Sequence, residues 1–323
     1  MVRPVVAALF LAAAGAALAD DKDPVRDKLA AARAAYDNEM KQVQKQTGDW
    51  LDKREAAARK AGDKKLLDQV KDERKAFTEG EEMPRAAPAA LRQKPAAARK
   101  AMDAAYAEAV KAYTKAKRDE EAAAVEAAWK AFAAETTIDL LALVDPKAHA
   151  VAGGWKKDGP ALVNNSTERF SRLELPYEPG AEYDVELTCR RLTGGDCIAV
   201  GLVAGDRQLL AVIDGWPPRG YATCFDTVDK KRGVDNLTAV KGDRLKNDKD
   251  YTIACSVRDG KLDLSVNGKP VTSFKGEFNR LGIRDGHGVP NPKALFLFIG
   301  PDTTFRIDQL VVKVVNGRGT VLK

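Results

Sequence analysis

Tyr251–Val271, YTIACSVRDGKLDLSVNGKPV, decides the fold. Tyr251, Ile253, Cys255 and Val257 alternate with Thr252, Ala254, Ser256 and Arg258, the period of a half-buried strand. Asp259-Gly260 then offers the two positive-φ positions of a type I′ hairpin turn. Folding about it predicts Val257 opposite Leu262, Cys255 opposite Leu264 and Ile253 opposite Val266. All three pairs lie on one face, so turn chemistry and apolar pattern agree on one register. Asn267-Gly268 ends the second strand with another turn dipeptide. The other face, Thr252, Ala254, Ser256, Asp263 and Ser265, carries no aromatic and no paired acids. The hairpin therefore reads as scaffold.

Around it, residues 137–323 hold many short strand-like runs: Leu162–Asn164, Tyr183–Cys189, Cys197–Val203, Gln208–Asp214, Tyr221–Phe225, Ala294–Gly300 and Thr304–Val315. Turn chemistry such as Thr193-Gly194-Gly195-Asp196 and Trp216-Pro217-Pro218 separates them, which predicts an all-β sandwich. Three runs, CIAVGLV from Cys197, QLLAVI from Gln208 and ALFLFI from Ala294, are apolar almost throughout. A strand apolar on both sides needs cover on both sides. One sheet therefore has its outer face covered, by its own loops or by the helices upstream.

Residues 20–136 have a different composition, rich in Ala, Lys, Arg, Asp and Glu, and the expected domain boundary falls near Thr136-Thr137. Leu29, Tyr36, Val43, Trp50 and Ala57 recur every seven residues, the seam of a long helix packed on another as an imperfect coiled coil. The seam loses phase at Gly62-Asp63 and resumes at Val70 and Phe77. Pro84, Pro88 and Pro95 break the helix, and a second runs from about Pro95 to Glu135 with its own slip at Lys117–Asp119. An offset of 55 residues brings Val70 onto Val125 and Phe77 onto Phe132, as in a duplicated unit. Two helices of roughly 80 Å and 60 Å in an antiparallel hairpin are expected. Met1–Ala19 has the layout of a secretory signal peptide: Arg3, an apolar run from Val5 to Ala17, and Ala17-Leu18-Ala19 before Asp20. The apolar run is shorter than the ~20 residues of a membrane span, so an exported chain with no membrane span after signal cleavage is expected.

The net charge of +6 is spread evenly, with 25 Lys/Arg against 23 Asp/Glu in residues 20–135 and 27 against 24 in 136–323. That balance argues against a nucleic-acid partner. The chain has two histidines, His149 and His287, and no CxxC among Cys189, Cys197, Cys224 and Cys255, so no zinc site is expected. A Cys189–Cys255 bridge and four reduced thiols both remain open. Asn164, Asn165 and Asn236 head N-x-S/T sequons. No phosphate loop, dinucleotide fingerprint or nucleophile elbow is present, and no cofactor is expected.

The order of Gly154-Trp155, Ala161-Leu162-Val163, Leu175-Pro176-Tyr177, Glu182-Tyr183-Asp184-Val185, Gly201-Leu202-Val203, Asp214-Gly215-Trp216 and the Val257…Val266-Asn267-Gly268-Lys269 hairpin resembles concanavalin A-like jelly-roll domains. It is most similar to those of exported planctomycete-type proteins related to 3-keto-disaccharide hydrolase-like domains, and the helices resemble the coiled-coil stalks that precede them. The resemblance covers residues 137–323. It implies a two-sheet jelly roll that binds or processes carbohydrate. The opening motif and acidic residues of a keto-disaccharide hydrolase are not recognisable.

Two sets of residues carry candidate chemistry. Glu182, Asp184 and Glu186 fit the E-x-D-x-E pattern of laminarinase-type jelly-roll hydrolases, whose retaining chemistry needs two carboxyls about 5–5.5 Å apart. The pattern comes early in the domain, without a second acidic or aromatic cluster, and a solvated strand face explains it as well. Trp216, on a proline loop beside Asp214, Arg219 and Tyr221, is the ligand-binding candidate, an aromatic to stack on a sugar ring with polar groups for its hydroxyls. A Trp that caps the sandwich edge is the plainer alternative. His287, in Asp285-Gly286-His287-Gly288, has no Ser or Cys motif nearby to make it a general base.

The expectation is thus an α plus all-β chain: signal peptide 1–19, antiparallel helical coiled-coil hairpin 20–136, β-sandwich jelly roll 137–323. Its expected role is non-catalytic binding or scaffolding outside the cytoplasm, with carbohydrate or a cell-envelope protein as partner. A jelly-roll hydrolase and a protein–protein adaptor working through the helices are the alternatives.

Overall fold

A computed structural model describes residues 23–80, 82–134, 136–165 and 169–322; residues 1–19, where a signal peptide is expected, lie outside the described residues. Four helices come first, α1 (Pro24–Ala61), α2 (Lys64–Gly80), α3 (Ala89–Lys115) and α4 (Asp119–Ala134). Asp23 caps α1, its carboxylate accepting from the Val25 and Arg26 amides at 3.0 Å, with Pro24 in the first turn. The same carboxylate accepts from the Tyr113 hydroxyl and pairs with Arg118, both at 2.9 Å, which ties the start of α1 to the end of α3. Lys94 meets Glu39 at 3.0 Å farther along. The two long helices are therefore antiparallel, as expected.

They are shorter than expected because each apparent phase slip is a reversal of the chain. Gly62 adopts φ +66°, its amide and that of Asp63 return to the Arg59 and Ala58 carbonyls, and α1 stops. Helix α2 then folds back on α1, with Arg54–Glu73 at 3.0 Å and Arg74–Asp52 at 2.7 Å. Lys117 (φ +58°) makes the same corner, and α4 folds back on α3, where the Trp129 indole donates to Asp103 at 3.0 Å. At 1.5 Å per residue α1 spans about 57 Å and α3 about 40 Å. The 55-residue offset carries Gly62–Lys64 onto Lys117–Asp119, so the repeated unit is a helix, a left-handed corner and a returning helix. Helix α3 also starts earlier than its prolines suggest, with Pro95 inside it.

The remainder is a two-sheet antiparallel sandwich of jelly-roll type. One sheet, the hairpin sheet, runs Lys269–Lys275, Lys261–Val266, Asp250–Arg258, Glu182–Thr193, Thr304–Asn316, Ala161–Asn165, Gly154–Asp158, with Thr137–Asp139 also on Thr304–Asn316. The other, the apolar sheet, runs Val240–Lys241, Ala222–Phe225, Arg207–Gly215, Ile198–Ala204, Phe296–Ile299, Ser171–Glu174, Ala150–Ala152. The opening hairpin pairs as predicted, Val257 with Leu262, Cys255 with Leu264 and Ile253 with Val266. Its turn differs: only Gly260 has positive φ (+65°), while the type I′ pattern appears at Asn267 (+50°) and Gly268 (+72°). Asp259 is held from outside the turn, its amide donating to Glu182 at 2.9 Å and its carboxylate pairing with Arg92 of α3.

Between the sheets lies the main core, including Leu187, Cys189, Ile253, Cys255, Leu209, Ile213, Leu297 and Phe305. Buried Tyr183 joins the two layers: its hydroxyl donates to the Val203 carbonyl and accepts from the Val203 amide, both at 2.8 Å. The three doubly apolar runs are neighbours in the apolar sheet. Their outer side chains, among them Ala199, Leu210, Val212, Phe296 and Phe298, form a second core under Phe170, Trp216, Ala239 and Ile283. The cover is the sandwich's own loops. The helices instead meet the hairpin sheet and its turns, through Arg92–Asp259, the Met83 amide on Asn316 at 3.1 Å, and Lys313–Asp103 at 3.9 Å.

The cysteines are all buried and free. Cys189 lies opposite Tyr251 and Cys255 opposite Val185, a four-residue offset of about 13 Å along the strands. A Cys189–Cys255 bridge is therefore ruled out. Two sequon residues are also buried: Asn164 donates to the Thr303 carbonyl and Asn236 to that of Phe225. Among the described residues no helix is long and apolar enough to cross a membrane.

Candidate functional site

A cavity of about 240 Å³ opens on the outer side of the apolar sheet. Leu210 and Val212 of one strand, with Cys197 just before the neighbouring strand Ile198–Ala204, make its floor. One wall is Trp216-Pro217-Pro218, the other Phe170 and Phe298, and Arg169, Arg284 and Asp196 stand around it.

Local backbone sets the Trp216 wall. Asp214 and Trp216 both take left-handed conformations (φ +57° and +58°), which lifts the chain off the strand into a short 3-10 turn at Pro217–Arg219. Non-glycine residues in that region signal a conformation imposed by surroundings. Here the surroundings are visible. Asp214 is fully buried and its carboxylate accepts from the Arg244 amide at 2.9 Å and the Leu245 amide at 2.7 Å. Burial pushes its carboxyl up to about 6, against the pull of those amides. The Trp216 ring packs on Gly233, where an added Cβ would fall 2.5 Å from it. The Arg284 guanidinium lies 5.9 Å from the ring centroid, and its Nε donates to fully buried Asp226 at 2.9 Å. Asp226 also accepts from the Gly233 amide at 3.0 Å, so one carboxylate fixes both the arginine and the backbone beneath the tryptophan.

The opposite wall is an aromatic stack. Phe170 and Phe298 have centroids 5.1 Å apart, and His287 lies 5.1 Å from the first and 5.2 Å from the second. Burial lowers the His287 pKa, and its buried Nε2 has no hydrogen-bond partner among the described residues. That burial favours the uncharged imidazole, which packs as the third ring of this wall. At the far end Asp196 is raised by burial, while its carboxylate accepts from the Cys197 amide at 2.7 Å.

Of the four residues predicted for ligand binding, Trp216 alone lines this cavity. Asp214 serves the 244–245 backbone, and Arg219 pairs at the surface with Asp235 at 2.7 Å. Tyr221, with φ +60°, turns its hydroxyl toward Gly195. The acidic trio lies on the other sheet. Glu182 caps the Asp259 amide, both Asp184 oxygens accept from one terminal nitrogen of Arg258 at 2.7 and 2.9 Å, and Glu186 is exposed. None of the three faces Trp216.

No family model matches the chain, and no curated protein matches it. Solved structures do. A Bacillus subtilis protein of unknown function with a galectin-like fold is 14% identical, covers 56% of this chain and 96% of its own, and superposes with a TM-score of 0.41. The carbohydrate-binding module CBM66 from Bacillus subtilis is 12% identical over 53% of this chain and 92% of its own, with a TM-score of 0.35. The exoplasmic/lumenal domain of VIP36, bound to Ca2+ and Man3GlcNAc, is 13% identical over 53% and 87%, with a TM-score of 0.36.

The sequence reading missed Phe170, Phe298, Arg169, Arg284 and Asp196. Phe298 and the floor residues were legible as part of the doubly apolar runs. Phe170 and Arg284 come from loops over a hundred residues apart, and no local pattern joins them.

Proposed function

We propose that the protein is an exported, non-catalytic carbohydrate-binding protein, with the sandwich as binding module and the helices as spacer or docking arm. The observation that carries this reading is the cavity itself, an apolar floor between a rigidly held Trp216 and the Phe170–Phe298 wall, rimmed by polar groups. A pyranose has an apolar face for an aromatic ring and a ring of hydroxyls for the arginine and aspartate groups around it. Glycosidic cleavage calls for two carboxyls flanking the bond. Among the described residues Asp196 is the one carboxylate lining the cavity, and Glu182 and Asp184 are engaged on the opposite sheet. The adaptor alternative gains no support from the helices: the strongly exposed large apolar side chains among the described residues are Leu237 and Val321, both in the sandwich. The N-terminal pattern of Met1–Ala19 supports export.

Glycan-array binding followed by titration calorimetry tests the reading. Trp216→Ala is expected to weaken binding by about 2 kcal/mol, roughly thirtyfold in Kd, as for a central aromatic anchor. A Kd changed by less than about twofold in a variant that still melts like the parent would remove Trp216 from the site.

A further inference from the structure

We propose that the Trp216 cavity selects an anionic sugar, a pyranose bearing a carboxylate or a sulfate ester. The inference rests on the carbohydrate reading above and specifies its ligand class.

Two guanidinium groups flank the cavity, and neither spends its donors fully on the protein. Arg169 is exposed at the rim, 5.3 Å from the centroid of Phe170, and among the described residues no carboxylate pairs with it. Arg284 lies over the other wall and gives its Nε to Asp226, with its side chain still 30% exposed. That bond leaves the two terminal nitrogens of Arg284 free of protein partners among the described residues, and an arginine offers five N–H donors in all. Of the acidic groups nearby, Asp226 is committed through both oxygens and Asp196 gives one oxygen to a backbone amide. Asp226 is fully buried under Arg284 and the Gly233 amide, and the Asp196 carboxylate accepts from the Cys197 amide at the foot of the cavity. What faces the opening is therefore an aromatic platform on each side with a guanidinium beside it. A neutral sugar would leave those donors to water. A carboxylate or sulfate would take charge-assisted bonds from them, and arginine's planar fork fits both groups.

The Asp196 carboxylate separates the two ligand classes. Toward an anion its charge is repulsive, whereas toward a neutral hydroxyl it is a strong acceptor. Asp196→Asn keeps an oxygen for the Cys197 amide and removes the charge. It should tighten binding of an anionic sugar and loosen that of a neutral one.

The experiment uses the full chain against three probe sets: uronate oligosaccharides (galacturonate, glucuronate and mannuronate), their methyl esters, and sulfated galactose oligosaccharides. The acid or the sulfated form is expected to bind, with the ester at least about tenfold weaker. Arg169→Ala is expected to cost about tenfold toward the anionic probe and to flatten the fall of affinity with salt. Arg169 is exposed, so the variant should fold; an unchanged melting curve checks this. Binding confined to the uronates, or to the sulfated probes, identifies which anion the site takes. Esters that bind as well as acids, or an affinity untouched by Arg169→Ala, would overturn the anionic preference and leave the carbohydrate reading standing. Failure of all three sets and of neutral glycans would sink both.

Discussion

Arg284→Ala is expected to lower stability by about 3 kcal/mol, the low end of the range for removing one member of a buried ion pair. Its partner Asp226 is fully buried, and without the guanidinium its one remaining donor among the described residues is the Gly233 amide at 3.0 Å. The low end applies because the Arg284 side chain is 30% exposed, so water can reach part of the vacated space. The loss should show as a lower urea midpoint with an unchanged slope. Adding Asp226→Asn to Arg284→Ala removes the stranded charge and should recover more than half of the deficit, a coupling that a double-mutant cycle reads directly. A single variant within about 0.5 kcal/mol of the parent would mean that the carboxylate is satisfied without Arg284.

Phe132→Ala is expected to cost about 3–5 kcal/mol in the helical region. Phe132 is the anchor of α4. Its ring is 1% exposed, meets Tyr36 edge-on at 5.2 Å and Tyr106 at 5.6 Å, and lies under Arg99 at 4.5 Å. The Arg99 guanidinium also donates to the Phe132 carbonyl at 2.9 Å, so the ring and the backbone hold α4 to α3 together. The far-ultraviolet circular dichroism signal of helix should melt earlier in the variant. Early cleavage by a protease between Arg118 and Glu135 should accompany it as α4 detaches. A melting curve that overlays the parent would show that Trp129 and Val125 hold α4 without the ring.

Both substitutions fall where the sequence was only partly legible. Phe132 was readable as the copy of Phe77 at an offset of 55 residues, and the strand hairpin was readable to the pair, because alternation and turn chemistry are local signals. The corners at Gly62 and Lys117 were visible only as lost phase. A heptad seam cannot distinguish a helix that drifts from one that reverses, and Lys117 carries none of the glycine signal that marks a left-handed corner. The covering of the apolar sheet was legible in its three continuous runs, but what covers it was not. The loops that supply Phe170, Trp216 and Arg284 converge through the crossings of the sandwich, and the ion pair beneath them joins residues 58 apart in sequence. Trp216 was singled out for its proline loop. Its neighbours in sequence, Asp214 and Arg219, turn out to serve backbone and surface.

The apolar sheet's first hairpin turns at Gly205-Asp206, beside the helical region in the cleft with Arg85 and Arg92, while its other end, Cys197 and Gly215, opens into the Trp216 cavity. The helices and the cavity thus lie at opposite ends of the strands. A partner seated on the arm and a ligand under Trp216 would share no residue and no line of approach. Under the proposed reading the chain is a bridge, and tethering by the helical end raises the effective concentration of the cavity at its ligand.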